Sequence, residues 1–151
     1  MNLQNIPVPQ ADDLEKIFEV VILVEAGHNT SADIALAMHV VGRQGFYYAA
    51  AAESMGLIER DDETHTFKLT AAGQDYILDE DKAAARARIV FHSPIIKYLA
   101  STLGITRPRF AAHAHLFEDE ISVRDAIEEL GYAEDTAMRR ALTIKAWMKA
   151  L

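Results

Sequence analysis

The stretch GRQGFYYAAAAESMGLIER, from Gly42 to Arg60, decides the fold. Its first part has the length and composition of a helix that ends at Gly56, and LIER follows at once as a short strand. TFKLT predicts a second strand, and the acidic loop DDETH joins the two. The stretch therefore predicts a helix that leads directly into a two-stranded hairpin.

The residues around this stretch predict three further helices. ADDLEKIFEVVILVEAG places an apolar stripe at helical spacing, formed by Leu14, Ile17, Phe18, Val21 and Val24. NTSADIALAM predicts a helix of about two turns, capped by Thr30 or Ser31, and TAAGQDYI predicts a helix capped by Thr70. The order helix, helix, turn, helix, strand, loop, strand, helix predicts a mostly α protein with a winged helix-turn-helix over residues 12–80.

Residues 81–151 predict a helical region that packs on the winged helix. DKAAARARIVFH is a helix that Ser93–Pro94 interrupts, PIIKYLASTLG is the next, and a short helix is expected from Pro108. SVRDAIEELGYAEDTAMRRALTIKAWMKAL predicts two more helices, the first capped by Ser122, with a break at Gly131. Residues 122–151 thus follow a helix-turn-helix plan without a wing.

The charge of the chain is unevenly distributed. The 151 residues carry a formal net charge of −8, but residues 1–80 carry −10 and residues 81–151 carry +2. A polyanion would therefore be contacted mainly through the second half, or through a few local residues of the first. The sequence has no cysteine, which excludes disulfides, thiolate zinc sites and cysteine nucleophiles. It begins without a signal-peptide pattern and has no apolar run that would span a membrane, which predicts a cytoplasmic protein.

The third helix has an inner and an outer side when residues advance by 100° each. The predicted inner side consists of Gln44, Tyr48, Ala51, Ala52 and Met55, and the predicted outer side of Arg43, Phe46, Tyr47, Ala50 and Ser54. In a helix-turn-helix the outer side of this helix lies in the major groove. Arg43 suits a guanine edge or a phosphate, and Tyr47 suits a phosphate oxygen. The alternative is that the alanines and the aromatic pair serve packing alone.

The last helix carries a second candidate surface. Its predicted apolar stripe is Ala137, Ala141, Ile144, Met148 and Leu151, whereas Arg139, Leu142, Lys145 and Lys149 point away, with Arg140 and Thr143 beside them. Four cations with no acid after Asp135 predict a phosphate-binding surface. The alternative is a solvated face whose cations complement the carboxyl end of the helix.

These residues also carry a family resemblance. The pattern from SADIALAM through FKLTAAG resembles the winged-helix module found with bacterial restriction endonucleases and related restriction-modification or defence proteins. It falls on Arg43, Gln44, Tyr47, Tyr48, Ala51 or Ala52, and Gly56–Leu57, with Met55 in place of the usual leucine. TAMRRALTIKAW resembles the closing motif of that module, on Thr136, Arg139, Arg140, Ala141, Thr143 and Trp147. The resemblance implies DNA binding, and the catalytic domain that usually accompanies the module is not found here.

Together these features predict a sequence-specific protein for double-stranded DNA. It would act as the recognition component of a restriction or defence system, with a partner protein, or as a transcriptional regulator, and it would need no cofactor. The predicted contacts are Arg43, Gln44, Phe46, Tyr47, Ser54, Arg139, Arg140, Thr143, Lys145 and Lys149. A homodimer is expected, through the first helix or through Tyr98–Leu103. The alternative, favoured by the acidic wing loop, is a protein-interaction module that no longer binds DNA.

No catalytic constellation is evident in the sequence, so we predict that the protein is not an enzyme. His113 and His115 would point about 160° apart on a helix and share a metal only on an extended segment, near Glu118 or Asp119. A metal-dependent activity at this pair is a third alternative. Phosphate-binding glycine loops and nucleophile elbows are not found.

Overall fold

The computed structural model describes residues 6–105, 117 and 119–151. This part of the chain contains eight helices and one two-stranded antiparallel sheet. The elements are α1 (Leu14–Glu25), α2 (Ser31–Met38), α3 (Gly42–Ser54), β1 (Ile58–Arg60), β2 (Phe67–Leu69), α4 (Ala71–Leu78), α5 (Lys82–Phe91), α6 (Pro94–Thr102), α7 (Glu120–Glu128) and α8 (Glu134–Ala150). The helix expected from Pro108 falls outside the described residues.

Five of the described helices, α1, α2, α4, α5 and α7, begin at a short polar side chain that accepts from free backbone N–H groups. Thr30 caps α2 by accepting a hydrogen bond from Asp33 N at 3.1 Å, and Thr70 caps α4 in the same way. The prediction that Ser122 caps α7 is wrong. Helix α7 begins three residues earlier than that cap implies, because the Asp119 carboxylate accepts from Ile121 N and Ser122 N. Ser122 instead lies in the first turn and donates its hydroxyl to Asp119 at 2.8 Å.

One apolar core holds the described residues together. The five residues of the predicted α1 stripe, Leu14, Ile17, Phe18, Val21 and Val24, are all buried in it. The core continues through α4, where the rings of Phe18 and Tyr76 lie 4.9 Å apart, and into α8, where Trp147 is fully buried. Both halves of the chain therefore contribute to the same core.

Phe67 in β2 fixes the hairpin to the helices. Ile58 pairs with Leu69 and Arg60 with Phe67 across the two strands. Phe67 N donates to the carbonyl of Asn29 at 2.7 Å, so the turn between α1 and α2 lies along the free edge of β2. The position of the hairpin relative to the first three helices is set by this bond and by the burial of Phe67.

The segment proposed for dimerisation is used inside the chain. Tyr98, Leu99 and Ala100 are buried, and Tyr98 Oη donates to the carbonyl of Ala126 in α7 at 2.7 Å. Tyr98, Leu99 and Ala100 therefore pack inside the chain, and the expected homodimer stays a prediction. Among the described residues no helix combines the length and the apolar character that a membrane span requires.

Helices α2 and α3 approach each other most closely at Gly45. A Cβ atom at this position would lie 2.5 Å from the Cβ of Ala35, so an alanine would force the two helices apart. We expect Gly45→Ala to lower the free energy of unfolding by about 1–2 kcal/mol in a urea titration, since overpacking outweighs the gain in helix propensity. Gly42→Ala, in the same helix, is the matched control because no atom lies within 4 Å. Equal stabilities of the two variants would contradict this packing.

Candidate functional site

The two sides of α3 are divided slightly differently from the sequence prediction. Ala51, Ala52 and Met55 are buried as predicted, and Tyr48 is half-buried. Gln44 is exposed, so its predicted inward position is wrong. The physical reason is that the side of α3 carrying the buried Gly45 packs on α2, which turns the neighbouring Gln44 toward solvent. The outward positions of Arg43 and Phe46 are confirmed, whereas Tyr47, Ala50 and Ser54 are half-buried.

Arg43 and Tyr47 form a fixed pair on the outer side of α3. Arg43 Nε donates to Tyr47 Oη at 2.6 Å, and the guanidinium carbon lies 5.4 Å from the centre of the tyrosine ring. Since Nε is used in this bond, the guanidinium is held in one orientation, and its two terminal nitrogens have no partner among the described residues. The Tyr47 oxygen accepts this bond and keeps its own hydrogen available for donation. The pair therefore presents several oriented donors.

Ser54, at the other end of α3, is engaged within the helix. Its hydroxyl donates to the carbonyl of Ala51 at 2.6 Å. This bond satisfies the serine donor locally, so Ser54 has less to offer a ligand than its outer position suggested.

The chain before α1 is fastened to α8, and residues 6–12 are called the N-terminal strap from here on. Thr143 Oγ1 donates to the Asp12 carboxylate at 2.5 Å, and Trp147 Nε1 donates to the carbonyl of Ala11 at 2.7 Å. Ile6, Val8 and Ala11 are buried, so the strap is part of the core as well. Thr143 is itself buried, and its hydroxyl serves this attachment.

The four predicted cations of α8 differ in their surroundings. Lys145 Nζ lies 2.5 Å from the carboxylate of Glu120 in α7, so its charge is compensated by an acid from another helix. Arg139 and Lys149 are exposed and form no ion pair within the described part of the chain. The cationic surface predicted from α8 alone is therefore smaller than expected.

Arg140 is partly enclosed. Its Nε and Nη1 atoms are buried and have no hydrogen-bond partner in residues 6–105, 117 and 119–151. Burial lowers the pKa of this arginine, and the nearby Arg139 acts in the same direction, whereas Tyr132, Tyr47 and Asp12 oppose the change. Arg140 thus adds positive charge close to Tyr47 and Arg139.

The two predicted surfaces meet in one cleft of about 480 Å³. The residues that line it come from α3 and the turn before it, from α8, and from the strap. They are Val41, Arg43, Gln44, Tyr47, Tyr48, Arg139, Leu142, Thr143, Gln10 and Asp12. Five of the ten predicted contacts line this cleft, whereas Phe46, Ser54, Arg140, Lys145 and Lys149 do not. We call it the α3–α8 cleft.

Two lining residues, Gln10 and Asp12, were not identified from the sequence. Asp12 is one of the two acids that directly precede α1. It lies in the cleft because the Thr143 hydroxyl, 131 positions later in the chain, donates a hydrogen bond to its carboxylate. No local pattern in the sequence indicates a contact at such a separation. The effect of Asp12 extends to Tyr48, whose pKa is raised by burial first and by the charges of Asp13 and Asp12.

The hairpin, residues 58–69, carries four acids and only two cations. Lys68 pairs with Glu59 at 3.2 Å, and Arg60 Nη2 lies 2.9 Å from His65 Nδ1. The Asp61 carboxylate closes the loop by accepting from Glu63 N and Thr64 N, and these bonds lower its pKa. Because the loop remains acidic, the hairpin would repel a phosphate backbone.

The metal site considered at His113 and His115 lies outside the described residues, as does Glu118. Within the described ranges, no three histidines or carboxylates come together in a way that could hold a metal ion.

Comparison with protein families gives one match. The family model described as "Domain of unknown function (DUF7226)" matches residues 16–151. Comparisons with curated proteins and with solved structures find no match. The family match covers α3, α8 and most of the core, whereas the strap residues Gln10 and Asp12 precede it.

Proposed function

This chain belongs to the DUF7226 family, and we propose that it binds double-stranded DNA in a sequence-specific manner as a winged helix-turn-helix protein. Helix α3 would enter the major groove, and α8 would contact the phosphate backbone beside it. The observation that carries the proposal is the α3–α8 cleft. It is lined by Arg43 and Tyr47 from one candidate surface and by Arg139 from the other, although about 90 positions separate them.

The charges in the described residues support this arrangement. Arg43 has two free terminal nitrogens and Arg139 forms no ion pair within the described ranges, so both can compensate phosphate charge. Gln44 is exposed beside Arg43, and an amide of this kind can bond the edge of an adenine. The proposal therefore assigns base reading to Gln44 at the beginning of α3, and most of the affinity to Arg43 and Arg139.

The wider role is proposed from the family resemblance in the sequence. A module of this kind would serve as the recognition component of a restriction or defence system, or as a transcriptional regulator. Either role would place the protein in the cytoplasm with the DNA. The acidic hairpin makes this protein dependent on α8 for its contacts with the DNA backbone, because residues 58–69 carry four acids against Arg60 and Lys68.

A mobility-shift assay with a random duplex at low salt tests the proposal. We expect binding that weakens steeply with salt, since phosphate neutralisation releases counterions. Arg139→Ala should weaken binding to all duplexes alike and reduce the salt slope by about one unit. Selection of bound sequences from a random library should then yield a preferred site whose preference is relaxed in Gln44→Ala, whereas Arg43→Ala should weaken binding to all sequences alike.

Lys97→Ala is the matched control for these variants. Lys97 is exposed on α6 and does not line the cleft, so its loss removes one charge without touching the proposed surface. A folded protein that binds no duplex at low salt would overturn the proposal.

A second candidate function is a protein-interaction module on the same fold. It is favoured by apolar side chains exposed around α2 and α3, where Leu36 is 76% and Val41 is 66% exposed. It is also favoured by the acidic hairpin loop. Two results together would support this function over the first. The wild type would retain a protein partner that Leu36→Ser does not, and Arg43→Ala would leave DNA binding unaltered.

A further inference from the structure

We propose that the α3–α8 cleft holds one phosphate group between Arg43 and Arg139, and that the Asp12 carboxylate limits how tightly the group is held. The inference rests on the proposed function in taking a DNA backbone phosphate as the first source of that group. A free phosphate compound is the other source with the same chemistry.

Oriented donors lie on the α3 side of the cleft. Arg43 is held by its 2.6 Å bond to Tyr47, so its terminal nitrogens are already placed before a ligand arrives. A guanidinium matches two phosphate oxygens at once, and less conformational freedom is lost when it is pre-oriented. Helix α3 also begins without a side-chain cap, and Val41, Arg43 and Gln44 at this end line the cleft. The positive end of the helix dipole therefore adds to the charge of Arg43.

The α8 side supplies the second guanidinium. Arg139 lines the cleft, is exposed and has no ion pair in the described part of the chain. Arg140 follows it directly, and two of its buried nitrogens have no hydrogen-bond partner in the described ranges. These two arginines lie close enough to interact electrostatically with each other, and Arg140 interacts with Tyr47 as well. Positive charge from both helices thus converges on one place.

Asp12 opposes this charge from the strap. It lines the same cleft, and one of its carboxylate oxygens accepts a hydrogen bond from the hydroxyl of Thr143. Its negative charge repels a phosphate group and partly neutralises the arginines. An asparagine would keep an oxygen for Thr143 and remove only the charge. Asp12→Asn should therefore bind phosphate more tightly than the wild type, which is the opposite of what loss of a contact residue would cause.

The first experiment titrates the intact protein with inorganic phosphate at constant ionic strength and follows backbone amide shifts by NMR. We expect the shifts to concentrate at the beginning of α3 and around Arg139. Asp12→Asn should lower the dissociation constant about five- to tenfold, and Arg139→Ala should raise it about tenfold. Lys97→Ala should leave it unchanged. The amide spectra of the variants also show whether each one is folded.

The second experiment repeats the three variants with a duplex of about 20 base pairs. If the variants bind the duplex in this same order of affinity, the inference is supported with DNA as the source. This holds whether or not free phosphate binds. If this order of affinities is found with inorganic phosphate and no variant binds the duplex, the inference is supported with a free phosphate compound as the source. The proposed function is then overturned. If Asp12→Asn and Arg139→Ala behave like Lys97→Ala with both probes, the inference is overturned, whereas duplex binding by the wild type would leave the proposed function in place.

Discussion

Replacing Trp147 with alanine is expected to lower the free energy of unfolding by about 3–5 kcal/mol. The side chain is fully buried, and its Nε1 donates to the carbonyl of Ala11 at 2.7 Å. The substitution therefore leaves a large cavity in the core beside α8, and it also removes a hydrogen bond that holds the strap. A urea titration followed by far-UV circular dichroism measures the loss.

Trp147→Phe separates the two contributions. Phenylalanine keeps most of the apolar volume but has no N–H, so the buried carbonyl of Ala11 loses its partner. We expect a smaller loss of about 1–3 kcal/mol, from the unsatisfied carbonyl and the smaller ring. The free energy of unfolding of Trp147→Ala could instead lie within about 1 kcal/mol of the wild-type value, well short of the expected cavity cost. That result would show that α8 and the strap do not pack in this way.

Gly73→Ala is expected to destabilise the protein by about 2–3 kcal/mol, at the upper end of what overpacking costs. A Cβ atom at Gly73 would lie 2.1 Å from the carbonyl oxygen of Leu57, which belongs to the backbone and cannot rotate away. That same oxygen accepts a hydrogen bond from Thr70 N at 3.1 Å. The alanine would therefore displace α4 from the hairpin and weaken this bond.

Gln74→Ala is the control for this prediction, because it changes the adjacent exposed position of the same helix. It should leave the urea midpoint nearly unchanged, since exposed substitutions usually change stability by less than about 0.5 kcal/mol. If Gly73→Ala were as stable as Gln74→Ala, the close approach of α4 and Leu57 would be wrong.

The sequence predicted the local structure well because the determining signals are local. The apolar stripe of α1, the caps at Thr30 and Thr70, and the hairpin after Gly56 each depend on residues a few positions apart. The cap of α7 was misplaced since Asp119 and Ser122 are both good capping residues, and the sequence alone does not show which of them accepts the N–H groups.

The candidate site was predicted only in part, because its geometry depends on contacts between distant residues. The exposure of Gln44 follows from how closely α2 approaches at Gly45. The pairing of Lys145 depends on Glu120, and the acid in the cleft depends on the attachment of Asp12 to Thr143. A helical projection considers one helix at a time, so it cannot reveal an acid supplied by another segment.

The assembly of the α3–α8 cleft from distant segments has a consequence for timing during synthesis. Arg139 leaves the ribosome about 90 residues after Tyr48, a delay of roughly 5–20 s at ordinary elongation rates. During that interval the growing chain carries α3 within its acidic portion, without the arginines of α8. A nascent chain that acts as proposed would therefore not hold DNA while it is still being translated, and would acquire this ability only when α8 packs against the strap.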